Sequence, residues 1–124
     1  MKSKKKLLVV DDEPVICQLV VDSFDKTNVH VLTATDGWEA LKLIETHHGA
    51  IDALLVDIMM PILNGTELAR IVLSSHPRIK IIFMSGHPDG LIDHYGIPQS
   101  RIRYIKKPFL PKELVNAVSE ELLG

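Results

Sequence analysis

A chain of 124 residues with 46% hydrophobic and 24% charged side chains has the size and make-up of one globular domain. A net charge of −2 gives it no overall electrostatic footprint for nucleic acid, and no apolar run approaches the ~20 residues of a membrane span. The lone cysteine, Cys17, permits no internal disulfide, and the apolar stretch behind the basic N-terminal tail (residues 1–4) is too short for a signal peptide, so the expected location is cytoplasmic.

Residues 5–124 alternate two periodicities. Leu7 to Val10 is a continuous apolar run and reads as a strand. Glu13 to Lys26 places Val15, Ile16, Leu19, Val20 and Phe24 near a 3.6-residue period, with Pro14 in the first turn, and reads as a helix. A strand at Val29 to Leu32 follows, then a helix from Asp36 to His47 with Ala40, Leu41 and Ile44 on one face and Asp36 as N-cap. Ile51 to Val56 is the third strand, and Thr66 to Ser75 the third helix, carrying Leu68, Ile71 and Val72. Ile79 to Met84 is the fourth strand. Pro88 to Tyr95, broken by Gly90 and flanked by Gly96 and Pro98, is expected to form only a short or irregular fourth helix. Ile102 to Ile105 is the last strand, and Pro111 to Leu123 the last helix, with Leu114, Val115, Val118 and Leu122 as its apolar face.

Strands that are apolar throughout suit a parallel sheet covered on both faces. Alternating strands and helices therefore predict an α/β fold, a single (βα)5 doubly wound parallel sheet of flavodoxin-like type with strand order 2-1-3-4-5. In such sheets chemistry gathers at the carboxyl ends of the strands, at the switch point of strand order. Asp11-Asp12-Glu13 follows the first strand, Asp57 the third, Ser85-Gly86 the fourth and Lys106-Lys107-Pro108 the fifth. Asp11, Asp12 and Asp57 would converge on one rim. Two like charges about 4 Å apart repel by on the order of 4 kcal/mol at an effective dielectric of about 20. A hard divalent cation, Mg²⁺ or Mn²⁺, would offset that, whereas the absence of thiolate and histidine from the cluster disfavours zinc. Lys107 and the Ser85 hydroxyl complete a site for a tetrahedral anion, and Asp57 is placed to act as a nucleophile that forms an aspartyl phosphate.

The segments "VVDDEP", "TDGWEAL", "LLVDIMMPILNG", "IIFMSG" and "YIKKPF", in this order, resemble the receiver domain of two-component response regulators from about Lys5 to Leu123. The resemblance implies that Asp57 is the phosphoacceptor, and that Asp11, Asp12, Asp57 and the Met59 backbone carbonyl hold Mg²⁺. It implies that Lys107 pairs with the phosphoryl group across a cis Lys107–Pro108 bond. Ser85 and Tyr104 would form the conformational switch, and Met59 and His87 would modulate hydrolysis. By the same resemblance the protein is no turnover enzyme. It catalyses only its own phosphorylation and dephosphorylation. Its partners are a histidine kinase or a histidine phosphotransfer domain and an output partner the sequence leaves unknown, with no direct nucleic-acid contact, no membrane insertion, and room for a phosphorylation-linked homodimer.

The chain departs from the family pattern in having Ser85 where Thr is more usual. The stretch from Ser85 to Phe109 resembles receivers attached to hybrid sensor kinases more than those joined to DNA-binding domains. The chain is read as a stand-alone receiver or as part of a longer regulator or hybrid kinase. Other readings have identifiable gaps. A haloacid-dehalogenase-type hydrolase needs a second acid two residues after the nucleophile, where Met59 stands. A flavin- or nucleotide-binding module needs a phosphate loop after the first strand, where Asp11-Asp12-Glu13 would repel phosphate. An unphosphorylated pseudo-receiver would lack some of the chemical residues, all of which are present here.

Overall fold

The computed structural model describes residues 4–86, 97 and 99–123. The expected short helix at 88–95, His87 and most of the basic tail lie outside the described residues. The elements in chain order are β1 (Lys5–Val10), α1 (Pro14–Ser23), β2 (Val29–Ala34), α2 (Gly37–Thr46), β3 (Ala53–Asp57), α3 (Gly65–Ser75), β4 (Lys80–Ser85), β5 (Ile102–Lys106) and α4 (Pro111–Leu123). A single 3₁₀ turn, Gln99–Arg101, leads into β5. The strands form one parallel sheet in the order β2-β1-β3-β4-β5, as expected.

The alternation of side chains across a strand divides the core in two. Leu8, Val10, Leu54, Val56, Ile81 and Phe83 point toward α2 and α3 and pack with Ala40, Ile44, Leu68 and Val72. Their neighbours Leu7, Val9, Ala53, Leu55, Ile82 and Met84 point toward α1 and α4 and pack with Val20, Phe24, Leu114 and Val118. This is why β3, central and covered on both sides, is buried over its whole length, Asp57 included. The edge strands β2 and β5 are only partly buried, and there polar side chains such as Thr33 and Arg103 intervene.

Several boundaries move inward from the periodicity reading. β3 starts at Ala53 rather than Ile51, and just before it the Asp52 carboxylate ties the strand entrance to β1, accepting from the Lys6 amide at 2.8 Å. The α1 helix ends at Ser23, where the Ser23 hydroxyl turns back onto the Leu19 carbonyl at 2.7 Å. Val15 and Ile71 fall on the helical apolar period but are exposed. The sheet contacts a narrower arc of each helix than a 3.6-residue stripe suggests, so residues at the stripe's margin face water.

At α3 the start is one residue earlier than expected, and the reason is a cap. The Asn64 side chain accepts from the Glu67 amide at 2.9 Å, and the Glu67 carboxylate accepts from the Asn64 amide at 3.2 Å. This reciprocal capping box fixes where the helix begins. It also presses Gly65 against the end of β3. A Cβ on residue 65 would collide with the Asp57 carbonyl oxygen and stand 2.9 Å from Ile58 Cα, and both are backbone atoms that cannot swing aside. Gly65→Ala is therefore expected to destabilise the fold by about 1–3 kcal/mol, despite alanine's better helix propensity, because the overpacking term outweighs propensity. Urea unfolding of the two proteins checks this.

Candidate functional site

At the carboxyl end of the sheet the chain leaves β1 at Val10, and the Asp11 amide donates to the Ala34 carbonyl at 3.1 Å. Asp11 is fully buried. Its Oδ1 accepts from the Glu13 amide at 2.9 Å, a local turn that also sets the entry into α1. Its Oδ2 accepts from Lys107 Nζ at 2.7 Å. Asp57 closes β3. Its Oδ1 accepts from the Met59 amide at 3.1 Å, and its Oδ2 accepts from the same Lys107 Nζ at 3.0 Å. The strand end is pinned by the Ile58 amide on the Met84 carbonyl at 3.2 Å and the Gly65 amide on the Ile58 carbonyl at 3.1 Å.

Lys107 comes from the turn after β5. Its amide donates to the Ser85 carbonyl at 2.7 Å, which holds the residue at the end of β4 and aims its side chain across the sheet. The Lys107–Pro108 peptide is cis, as the sequence resemblance implies. Ser85 is itself buried, at the end of β4 and opposite Lys106 in register. Tyr104, two residues before Lys106, is partly exposed, with its ring stacked on Phe83 at a centroid distance of 5.8 Å. Met59 holds Asp57 by its backbone while its side chain is exposed.

Thus Asp11, Asp12, Asp57 and Lys107, 96 residues apart at the extremes, meet at one point. Carboxylate oxygens of the three acids all lie within 4.8 Å of one another, Asp12 from the exposed side. Three carboxylates face one ammonium. Burial pushes the Asp57 carboxyl above the usual range, and neighbouring Asp11 adds to this, although Lys107 and the Met59 amide pull the other way. Burial works against the Lys107 charge, but the hydrogen bonds and negative charge of Asp11 and Asp57 prevail and raise it above its ordinary value. The lysine is therefore a permanent cation at neutral pH. An all-oxygen donor set with surplus negative charge, open to solvent at Asp12, fits a hard divalent cation such as Mg²⁺.

Two further residues support the site. Gly65 lets α3 abut the Asp57 carbonyl, and the pattern Asn64-x-x-Glu67 is the sequence signal for the helix start that puts it there. Cys17, buried in the core under α1, packs beside the site, its Sγ 3.5 Å from the Asp11 carbonyl oxygen. Burial and the Asp11 charge push its thiol up, so it is a packing group rather than a nucleophile.

The sequence profile described as the response regulator receiver domain matches residues 7–119. The alkaline phosphatase synthesis transcriptional regulatory protein PhoP of Bacillus subtilis is 34% identical over 96% of this chain, which covers 48% of that protein. The sensor kinase CckA of Brucella abortus is 31% identical over 94% of this chain, which covers 12% of that protein. The chain thus spans about half the length of the first relative and about an eighth of the second, and matches proteins of both architectures. A response regulator receiver domain protein from Clostridium thermocellum superposes with a TM-score of 0.85 at 27% identity, covering 96% of this chain and 94% of that one. On its sequence, its strand order and the residues that meet at its switch point, the chain belongs to the response regulator receiver domain family of two-component systems.

Proposed function

We propose that the chain is a phosphorylation-driven switch in which Asp57 takes a phosphoryl group from a phosphohistidine of a histidine kinase or histidine phosphotransfer domain. The observation that carries this reading is the single ammonium of Lys107 held between Asp11 and Asp57, 2.7 Å and 3.0 Å away. Such a cation is positioned to receive a phosphoryl oxygen once Asp57 has become its ester. In the reaction an Asp57 carboxylate oxygen bonds to phosphorus as the phosphorus–nitrogen bond of the donor breaks. The electron pair leaves with the imidazole nitrogen, which takes up a proton.

Asp11, Asp12, Asp57 and the Met59 backbone carbonyl would hold Mg²⁺ or Mn²⁺, whose role when bound is to neutralise charge on the phosphoryl oxygens. The other steps belong to the chain. The Met59 amide orients the acceptor, and the Met59 side chain would modulate hydrolysis, as would His87 by the family resemblance alone. Ser85 and Lys107 would take the remaining phosphoryl oxygens. Phosphorylation adds roughly −1.5 to −2 charge here. Movement of Ser85 toward that charge, followed by Tyr104, would convert it into a changed surface for the output partner or a second copy, biasing a two-state element. On this reading the protein modifies only itself, in the cytoplasm. Among the described residues no helix is long and apolar enough to cross a membrane.

Three outcomes are expected. Asp57→Asn loses labelling by acetyl phosphate with Mg²⁺, and Lys107→Ala slows it by about 10²-fold or more, read by single-turnover labelling. Mg²⁺ raises the unfolding free energy of the wild type by about 2.7 kcal/mol at 100 times Kd, read by urea unfolding, whereas EDTA or Asp11→Asn removes the gain. The third concerns pH. A carboxyl whose folded pKa lies above its unfolded value opposes folding only where it is ionised. Asp57→Asn should therefore stabilise the metal-free protein at neutral pH. That gain shrinks as pH falls through the raised Asp57 value, and is gone below the unfolded value of about 3.9. Thermal unfolding across pH measures it.

A further inference from the structure

The sheet has two edge strands, and the chain treats them differently. The β5 edge carries Arg103 and Lys106, and Arg103 pairs with Glu120 at 2.7 Å. Charge on an edge strand discourages the addition of another strand, as do proline, bulges and shortness. The β2 edge has none of these guards. Val29–Ala34 reads VHVLTA, without a Lys, Arg, Asp, Glu or Pro. It runs alongside β1 in unbroken register from Lys5↔Val29 to Val10↔Ala34, with no bulge to twist it away. His30 and Thr33 are exposed along it.

The ladder fixes which backbone groups of β2 are open. The Asp11 amide donates to the Ala34 carbonyl at 3.1 Å, so Ala34 turns its backbone toward β1. Successive residues of a strand turn their N–H and C=O groups to opposite sides. His30 and Leu32 therefore also face β1, and Val29, Val31 and Thr33 face outward. The Val29 amide is taken by the Thr27 hydroxyl at 3.2 Å. Among the described residues, the amides and carbonyls of Val31 and Thr33 have no hydrogen-bond partner.

We propose that β2 is a self-association edge, to which a second copy of this chain adds its own β2 in antiparallel register about a two-fold axis at Val31. That register sets Val31 opposite its own counterpart, Val29 opposite Thr33 and His30 opposite Leu32. Both Val31 amides then meet Val31 carbonyls, and each Thr33 amide meets a Val29 carbonyl. No like charges oppose each other at any pair. The outward groups are self-complementary under the two-fold, which is why the occupant is a second copy: it brings the same open donors and acceptors at the same spacing. The joined sheet ends on the guarded β5 edges, so assembly stops at the dimer. Its two acid rims point in opposite directions, and Ser85 and Tyr104 lie on β4 and β5, away from the contact. Association is therefore independent of any modification of Asp57.

Sedimentation equilibrium of the full chain, from micromolar to millimolar concentration, should show a monomer–dimer equilibrium. Thr33→Lys and His30→Lys, which place a charge on the edge, should each weaken it by about tenfold or more. Neither should change acetyl phosphate labelling, and Asp57→Asn should dimerise as the wild type does. As the wild-type dimer forms, hydrogen exchange at the Val31 and Thr33 amides should slow. A wild type that stays monomeric at millimolar concentration overturns the proposal, as does a dimer that Thr33→Lys leaves intact or an assembly that grows beyond two copies. A dimer whose Val31 and Thr33 amides exchange as fast as in the monomer also overturns it, by placing the contact elsewhere. Should the lysine variants not fold, the exchange rates of the wild type decide by themselves.

Discussion

The structure turns on an imbalance of buried charge. Asp11 is cut off from water and Asp57 nearly so, and both depend on the ammonium of one lysine. Neither carboxylate could be buried ionised without it, since an unpaired buried charge costs several kcal/mol. Yet one cation does not neutralise three acids, and the surplus is the site's working property. It leaves the cluster, at the ends of buried strands, attractive to a further cation.

Everything around the cluster serves to hold that arrangement at fixed geometry. The acids sit at the ends of β1 and β3, adjacent strands in a parallel ladder, so their spacing is set by the sheet rather than by flexible loops. The lysine is anchored through its own backbone to the end of β4. Behind Asp57, the capped start of α3 closes on the strand through a glycine that admits no side chain. Where the scaffold is less regular, at Met59 to Leu63, Met60 and Leu63 turn into the core while Met59 and Ile62, the residue with a positive φ, face solvent.

Much of this could be read from the chain before folding was considered. Continuous apolar runs such as Leu7–Val10 and Leu54–Val56 announce doubly covered strands, and their order with intervening helices leads to the sheet and to its switch point. The acids and the lysine follow because each stands directly after such a run. What was misread lies where local pattern is a poor guide. Val15 and Ile71 satisfy a helical period but sit outside the arc that the sheet reaches. Gly65 looks like half of an Asn-Gly turn, and only the proximity of the Asp57 carbonyl shows why no larger residue fits.

The sequence by itself determined the fold class and the identity of the chemical groups, because periodicity and residue type are properties of short segments. The tertiary structure alone decided how those groups share charge. That Lys107 contacts Asp11 and Asp57 with the same nitrogen, that Asp12 stays in water while Asp11 does not, and that Gly37 lies against Leu63 all depend on atoms far apart in the chain. Distances and burial arise only when the sheet brings separate strand ends together, and no local pattern encodes them.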